Sequence, residues 1–528
     1  MSLPAYPKQS KCFLFWAGLT ILWTRTATGK LVSRLPYRQQ PILTGTLYSY
    51  TIAFPAYRGA TYDASTTNLS YAVPVPDKLA TANYLDITLS FLSPVTPTST
   101  LRQAIPAAYL TVHVEGALDV NIYADVNGQW VSGKRESLIE WDLVEHATAE
   151  GLKTWSVKRQ VEQVFTETND QPEWGKLHFT GPAEARYESG TSALLRQRFA
   201  RTGTLQNLVD DKFRGVMDDE PVFAFAKEFK LANATSTLPA SPASSSVLFT
   251  IAHIQDPVTQ YASARGLTLM RPLWKSWFRE DEKLLHFHYL DFSTANSLAR
   301  NYAEQLRVDA YQSGSSNYVD IVALSARQVM GATSFSGTPE NPLLFLKEIS
   351  SNGNCQTVDV IFPAFPFFLY TQPRWLAYLL EPLLEHQLSG QYPNKYSMHD
   401  LGAHFPNLTG HADGRDEYMP VEECGDMLIM GLALVNSLTY RSGVEAQSVW
   451  SSLGKTASQT DAAGGTERPF ALSNIGLHQG IEYMDESWGG GATGVDQAKK
   501  WLEGSYELWK QWTGYLVEDA LEPHNQRS

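Results

Sequence analysis

Between residues 396 and 426 ionisable side chains are denser than anywhere else in the sequence. The run opens with His399-Asp400, continues through His411-Ala412-Asp413-Gly414-Arg415-Asp416-Glu417, and ends in Pro420-Val421-Glu422-Glu423-Cys424-Gly425-Asp426. Downstream, Met427 to Val435 is apolar apart from Gly431, the pattern of a helix buried on every side. Pro420 fits the first helical position, where its missing N–H would be an orphan anyway. Glu422 and Glu423 then fall in the first turn, where the helix dipole stabilises an acid by about 0.3–1 kcal/mol. The dipole explains those two glutamates as well as catalysis does. It does not explain Asp426, one turn further in and on the face of Glu422. Two carboxylates that close, at the start of an apolar helix, repel each other and lose solvation. One of them is expected to hold its proton above the usual range or to have a cationic partner. Acids in that condition are candidates for general acid–base chemistry. His399, His411 and Arg415 support a competing reading, a structural ion-pair network.

No metal ion or other cofactor is expected from these residues. Two histidines twelve apart with nearby carboxylates match no standard ligand spacing. The Asp413-Gly414-Arg415-Asp416 turn resembles a calcium loop, but counting on from Asp413 puts Cys424 where the closing Glu belongs. No nucleophile elbow, phosphate loop or dinucleotide fingerprint occurs in a fitting context. Trp274, Trp277 and Trp375 could stack on a sugar, although core packing uses such residues more often. Lys347-Glu348 could line a cleft or form an exposed pair.

These residues need a scaffold, and the chain offers two. From about residue 45 to 260 the hydrophobic pattern has period two, as in Leu85-Asp86-Ile87-Thr88-Leu89-Ser90-Phe91 and Val120-Asn121-Ile122-Tyr123-Ala124. Strands with one buried face read this way, so this half is predicted to be an antiparallel β-sandwich. From about 265 to 440 the period turns helical. Ser293 or Thr294 could cap a helix carrying Leu298, Tyr302 and Leu306. Tyr318 to Met330 reads as a second helix with Ile321, Val322, Leu324, Ala326 and Val329 apolar. A third runs from about Arg374 to Leu388, with Pro382 expected to kink it. The aromatic stretch Ile361-Phe362-Pro363-Ala364-Phe365-Pro366 reads as a long structured loop. Such hairpins and loops suggest an α/α toroid with a pocket at one end. Residues 441–497, rich in Ser and Gly, read as a mobile insertion. A last helix is expected from about Asp496 to Ala520, placing the start of a further hairpin in 498–528.

The chain has 528 residues, 18% of them charged and 12% aromatic, with a net charge of −13. So acidic a surface repels nucleic acid, which is not expected as a partner. Lys8 and Lys11 precede the apolar run Cys12 to Trp23, followed by small residues near Gly29. Residues 1–30 thus have the form of a signal peptide, with a buried first strand as the alternative. The run is too short to span a bilayer, and no membrane association is expected. Sequons at Asn68, Asn233 and Asn407 fit secretion and glycosylation. If the leader is removed, Cys355 and Cys424 remain, as one disulfide or as two buried thiols.

Two long motifs resemble the signature of the fungal glutaminase A family. They are Tyr392-Pro393-Asn394-Lys395-Tyr396-Ser397-Met398-His399-Asp400-Leu401-Gly402 and Met419-Pro420-Val421-Glu422-Glu423-Cys424-Gly425-Asp426-Met427-Leu428-Ile429-Met430. Leu344 to Ser351 and Thr357 to Ala364 are similar to its central domain, and Phe91 to Pro97 to its N-terminal β domain. The resemblance implies a secreted hydrolase releasing ammonia from glutamine, a β domain joined to a six-hairpin α/α domain, here incomplete and C-terminally truncated. The helical architecture is shared with many glycosidases, so a saccharide is the second substrate class and an inactive truncated member the third reading. On the first reading Glu422, Glu423 and Asp426 share the acid and base roles. His399, Asp400, His411, Asp416 and Glu417 would bind and position the substrate.

Overall fold

The computed structural model describes residues 19–25, 31–34, 56–73, 85–116, 119–146, 151–231, 243–339, 341–348, 353–402, 404–439 and 494–520. Most of the expected insertion, the start of the leader-like run and the Asn233 sequon lie outside them.

The period-two pattern becomes two antiparallel sheets. One has nine strands, in the order Arg214–Gly215, Leu138–Glu145, Lys153–Arg159, Lys176–Gly181, Ala243–Ile254, Ala107–Gly116, Leu85–Leu92, Thr66–Ala72 and Ala56–Tyr62. The other orders Arg186–Thr191, Pro221–Phe229, Val120–Asn127, Leu19–Arg25 and Leu31–Arg34. Leu85, Ile87, Leu89 and Phe91 are buried while Asp86 between them is exposed, so one face of the nine-stranded sheet points into a core. That core is shared with the second sheet: Phe225 packs 5.1 Å from Phe179 and 6.0 Å from Phe249, and Trp155 packs 5.8 Å from Phe223. Each such fully buried side chain contributes about 1.5–3 kcal/mol. The sandwich is as predicted, but its second sheet takes strands from before residue 45. Leu19–Arg25 runs in register along Val120–Asn127, the strand alternative for the leader-like run.

The described helices are α1 Thr100–Ala104, α2 Ser192–Thr202, α3 Asp281–Leu290, α4 Phe292–Ser313, α5 Ser316–Gly331, α6 Val358–Thr371, α7 Pro373–Leu388, α8 Pro420–Thr439 and α9 Gly494–Asp519. From α4 on they pair as hairpins: α4 with α5, α6 with α7, α8 with α9. Gly431 makes the last pairing close, since a Cβ there would lie 2.9 Å from the Trp509 ring. A β-hairpin of Thr333–Thr338 and Asn341–Leu346 interrupts the helices. Arg102 of α1 donates from Nε and Nη2 to Asp291 at 2.6 and 2.8 Å, and Lys347 reaches Glu167 at 2.6 Å. Both pairs tie the sheet half to the helical half.

Four helical expectations are corrected. The stretch Ile361 to Pro366 is not a loop but the middle of α6, with Pro363 and Pro366 inside. Burial of Val358, Ile361 and Phe368 outweighs the interior-proline cost of about 3 kcal/mol. Helix α4 begins at Phe292, ahead of the expected cap, and the side chain of Asp291 does not cap it because Arg102 holds it. On α5 the buried residues are Ala323, Ala326 and Met330, while Ile321 and Leu324 are exposed. On α8, Met427, Met430 and Leu434 are buried, but Ile429 and Leu432 are exposed. That helix packs against α6, α7 and α9 on part of its circumference only. Among the described residues no helix is long and apolar enough to cross a membrane.

Candidate active site

Two helix starts and one loop converge on the acids. Helix α8 begins at Pro420 and carries Glu422 and Glu423 in its first turn. Helix α6 carries Asp359 in its first turn. The loop after α7 is fastened to both. Val358 N–H donates to the His399 carbonyl at 2.9 Å and Cys355 N–H to the Gly402 carbonyl at 3.0 Å, while Ser397 N–H meets Cys424 Sγ at 3.2 Å. Gly402 has φ +145°, and a Cβ there would sit 2.9 Å from the Asn407 carbonyl oxygen. That turn lets Gly402 N–H donate to Asp400 Oδ1 at 2.7 Å.

Asp400 is the hub of the loop. It sits 2.8 Å from His399 Nδ1 through Oδ2 and 2.8 Å from His411 Nε2 through Oδ1. Burial alone would raise its pKa, but the hydrogen bonds and charges of the two histidines hold it at about 2. The same carboxylate outweighs burial at both imidazoles and raises them. Asp416 is a clamp. It accepts from His399 N–H at 2.8 Å and from the Tyr392 hydroxyl at 2.9 and 3.0 Å. The Nε2 edge of His399 faces outward from this hub, 3.9 Å from Asp359 Oδ1, 3.9 Å from Glu417 Oε2 and 4.0 Å from Glu423 Oε1.

Glu423 is the most strained of the acids electrostatically. It is 1% exposed, and neither carboxyl oxygen has a hydrogen-bond partner. Burial, then Asp359, Asp426 and Glu422, push it up to about 10. Asp426 is pushed up to about 7 by burial and by Glu422 and Asp359. Asp359, half-buried with Oδ1 unpartnered, is raised chiefly by desolvation. The expected shift is therefore present, and it falls on Glu423 and Asp426. Glu422 is exposed. An acid holding its proton beside one that titrates near neutrality is the usual arrangement for paired acid–base work.

The structure brings together Glu423, Asp426, His399, Asp400 and Glu417, with Glu417 half exposed at the mouth. It sets His411 and Asp416 behind them as supports. Arg415 is exposed and, among the described residues, no Lys or Arg forms an ion pair with Asp359, Glu417, Glu422, Glu423 or Asp426; of the partners expected for an ion-pair network, His399 faces Asp359, Glu417 and Glu423, and both histidines bond Asp400. Sequence reasoning missed Asp359, whose signal was the same as that of Glu423: an acid in the first turn of an apolar helix. Donor atoms of Asp359, His399 and Glu423 lie within 4.8 Å of one another. That set differs from the histidine pair weighed for a metal, since His411 Nε2 is spent on Asp400. The calcium-like turn is occupied too: Asp413 caps Arg415 N–H at 3.1 Å and Asp416 holds Tyr392.

Other candidates settle elsewhere. Trp274 and Trp375 are core residues. Lys347 and Glu348 form no exposed pair: Lys347 bonds Glu167, and buried Glu348 accepts from Thr357 Oγ1 at 3.1 Å. Cys355 and Cys424 are buried free thiols. A separate cavity of about 250 Å³ at the junction of the two halves, lined by Arg102, Asp291 and Trp274 among others, shares no lining residue with the acid cluster.

Fold and site together define a protein with an antiparallel sandwich, a helical-hairpin region, and buried acids where two hairpin helices begin. Residues 78–309 match a domain of unknown function (DUF5127), and residues 315–456 match the glutaminase A six helical-hairpin domain. The chain belongs to the glutaminase A family. It is 59% identical over 476 residues to a probable glutaminase of Arthroderma benhamiae, covering 89% of this chain and 55% of that relative. It is 38% identical over 386 residues to glutaminase A of Aspergillus oryzae, covering 72% of this chain and 54% of that relative. The chain thus spans about half the length of the curated relatives it matches.

Proposed function

We propose that the chain is a glutaminase-like amidohydrolase that releases ammonia from the side-chain amide of glutamine. The observation that carries this reading is Glu423, sealed from water with both oxygens unpartnered, beside Asp426 at the edge of the same helix start. Asp426 takes a proton from the attacking water as its oxygen bonds the amide carbon. The Glu423 carboxyl gives a proton to the nitrogen as the C–N bond breaks, leaving ammonia and glutamate. His399, fixed by Asp400 and Asp416, and Glu417 at the mouth position the substrate. The saccharide reading has less support, because Trp274 and Trp375 are spent on the core and only Trp277 of the three tryptophans is partly exposed.

Ammonia release from L-glutamine by the purified chain is the direct assay. Glu423→Gln and Asp426→Asn are each expected to slow it by about 10²- to 10⁴-fold. Wild-type rates in both folded variants would remove these residues from the chemistry.

Secretion is part of the same proposal, supported by the basic, then apolar start and by the sequons. Asn68 is half-buried on a strand, and the Asn407 amide already bonds Phe165 O at 3.1 Å and Gln260 Nε2 at 3.1 Å. Asn68 is therefore the better glycan acceptor of these two. N-terminal sequencing of secreted chain decides: cleavage near Gly29 supports a leader, whereas a retained Leu19–Arg25 strand contradicts it.

A further inference from the structure

The distances around His399 Nε2 are too long for hydrogen bonds and too short to be unrelated. Donor–acceptor pairs in proteins close to about 2.7–3.2 Å, yet Asp359 Oδ1 and Glu423 Oε1 stop at 3.9 and 4.0 Å from Nε2. Neither of these carboxylate oxygens has a hydrogen-bond partner, and Glu423 is almost wholly buried. Two buried carboxylate oxygens thus face one imidazole nitrogen around a common centre. A point between three donors at such separations lies roughly 2–2.5 Å from each, the range of metal–donor bonds.

The back of the imidazole carries the second mark. His399 Nδ1 is bonded to Asp400, which is itself held by His411 and by Gly402 N–H. Metal-binding histidines are oriented in this way, with the other ring nitrogen on a fixed carboxylate that sets the tautomer. The three ligands also come from three separately anchored pieces: the start of α6, the start of α8, and the loop bolted to both. Around them stand Glu417, Glu422 and Asp426, with no Lys or Arg pairing to any of these acids among the described residues.

We propose that Asp359, His399 and Glu423 form a divalent-metal site, with His399 Nε2 and one oxygen of each carboxylate as ligands and the remaining positions open to water or substrate. One imidazole with two carboxylates suits Mn²⁺ through Zn²⁺ better than Cu⁺, which prefers thiolates, or Ca²⁺ and Mg²⁺, which prefer oxygen alone. The site does not depend on the amide reaction. Cation and proton are alternative ways of neutralising Glu423, and a bound cation holds that carboxylate ionised, so Glu423 gives a proton to the amide nitrogen only in the metal-free chain.

The test uses the full chain, stripped with a chelator and dialysed, then titrated with Zn²⁺ or Mn²⁺ in a calorimeter and followed by thermal unfolding. One ion per chain is expected, with a raised melting temperature. Asp359→Asn and Glu423→Gln should each weaken binding by at least about 10–100-fold, while exposed Asp413→Asn should leave it unchanged. Circular dichroism of each variant confirms that it is folded. Failure of the wild-type chain to bind either ion at one-to-one stoichiometry would overturn the site. So would equal binding by the Asp359 and Glu423 variants, which would place the ion on surface acids. Ammonia release is assayed on the same stripped protein, so an active chain that binds no ion defeats the metal site and leaves the amidohydrolase reading standing.

Discussion

The two halves of the chain bury carboxylates in opposite ways. In the sandwich, Asp125 is wholly buried and receives Nε and Nη2 of Arg196 at 2.9 Å each, with the Tyr123 hydroxyl at 2.5 Å. Glu173 is wholly buried against Arg159. In the hairpin region Glu423 is as deeply buried, and its nearest charged groups are other carboxylates and one imidazole at 4.0 Å. The histidines differ too, by partner rather than by half, since burial also pushes down His386 on α7. His178 and His288, on and against the sheet, are pushed down to about 3, mainly by burial, whereas His399 and His411 are pushed up by Asp400. One half spends its buried charges on fixed pairs. The other fixes Asp400 between two histidines but also holds, where α6 and α8 begin, acids that only a proton, a cation or a substrate can satisfy, and local rules are broken in this way where function resides.

Breaking a sandwich pair should be the most damaging single substitution. Arg196→Ala leaves Asp125 buried and uncompensated, so urea unfolding should show a loss of about 3–5 kcal/mol. A loss as small as that of a surface pair would erase the contrast between the halves.

Acid should act next, and through the sandwich. A folded-state pKa of about 3 against 6.5 unfolded means that the unfolded chain binds the extra proton. The stability contributed by neutral His178 and His288 is full above pH 6.5 and falls as pH drops from there toward 3. The slope is about 1.4 kcal/mol per pH unit for each histidine. The groups facing His178 are Asp281, which opposes the shift, and Lys176, His253 and His146, which reinforce it. Replacing both histidines with Gln should flatten the pH 6.5 to 4 limb of the stability curve, and an unaltered limb would place the acid lability elsewhere.

The smallest effect sharpens the helical side. Tyr392→Phe removes the donor that holds Asp416, at a cost of about 0.5–1.5 kcal/mol. Because Asp416 in turn holds His399 N–H, glutamine turnover should fall by a smaller factor than in Glu423→Gln, with the loss in kcat more than in KM. An effect confined to stability would make Tyr392 a packing residue only.

Much of this was legible from residue patterns. Alternation over Leu85 to Phe91 fixes a half-buried strand, and Pro420 marks the start of α8, which places Glu423 and Asp426 one turn apart. Local patterns do not reveal which of two adjacent glutamates faces inward. That is decided by α6 and α7 packing on one side of α8, which buries Glu423 and leaves Glu422 in water. Helix α6 was hidden because Pro363 and Pro366 argue against a helix locally, and only tertiary burial of Ile361 and Phe368 overrides them. With α6 hidden, Asp359 could not be placed beside Glu423, 64 positions along the chain. Asp400, expected to help position the substrate, lies between two histidines, an arrangement that depends on the turn at Gly402.

The most direct test of these buried acids is Glu423→Gln, with urea stability and ammonia release measured on the same metal-free preparation. Stability should be kept or increased, because repulsion from Asp359, Asp426 and Glu422 is relieved, while turnover falls by about 10²- to 10⁴-fold. A folded variant that turns over glutamine at the wild-type rate, or one that loses stability as Arg196→Ala does, would contradict the account.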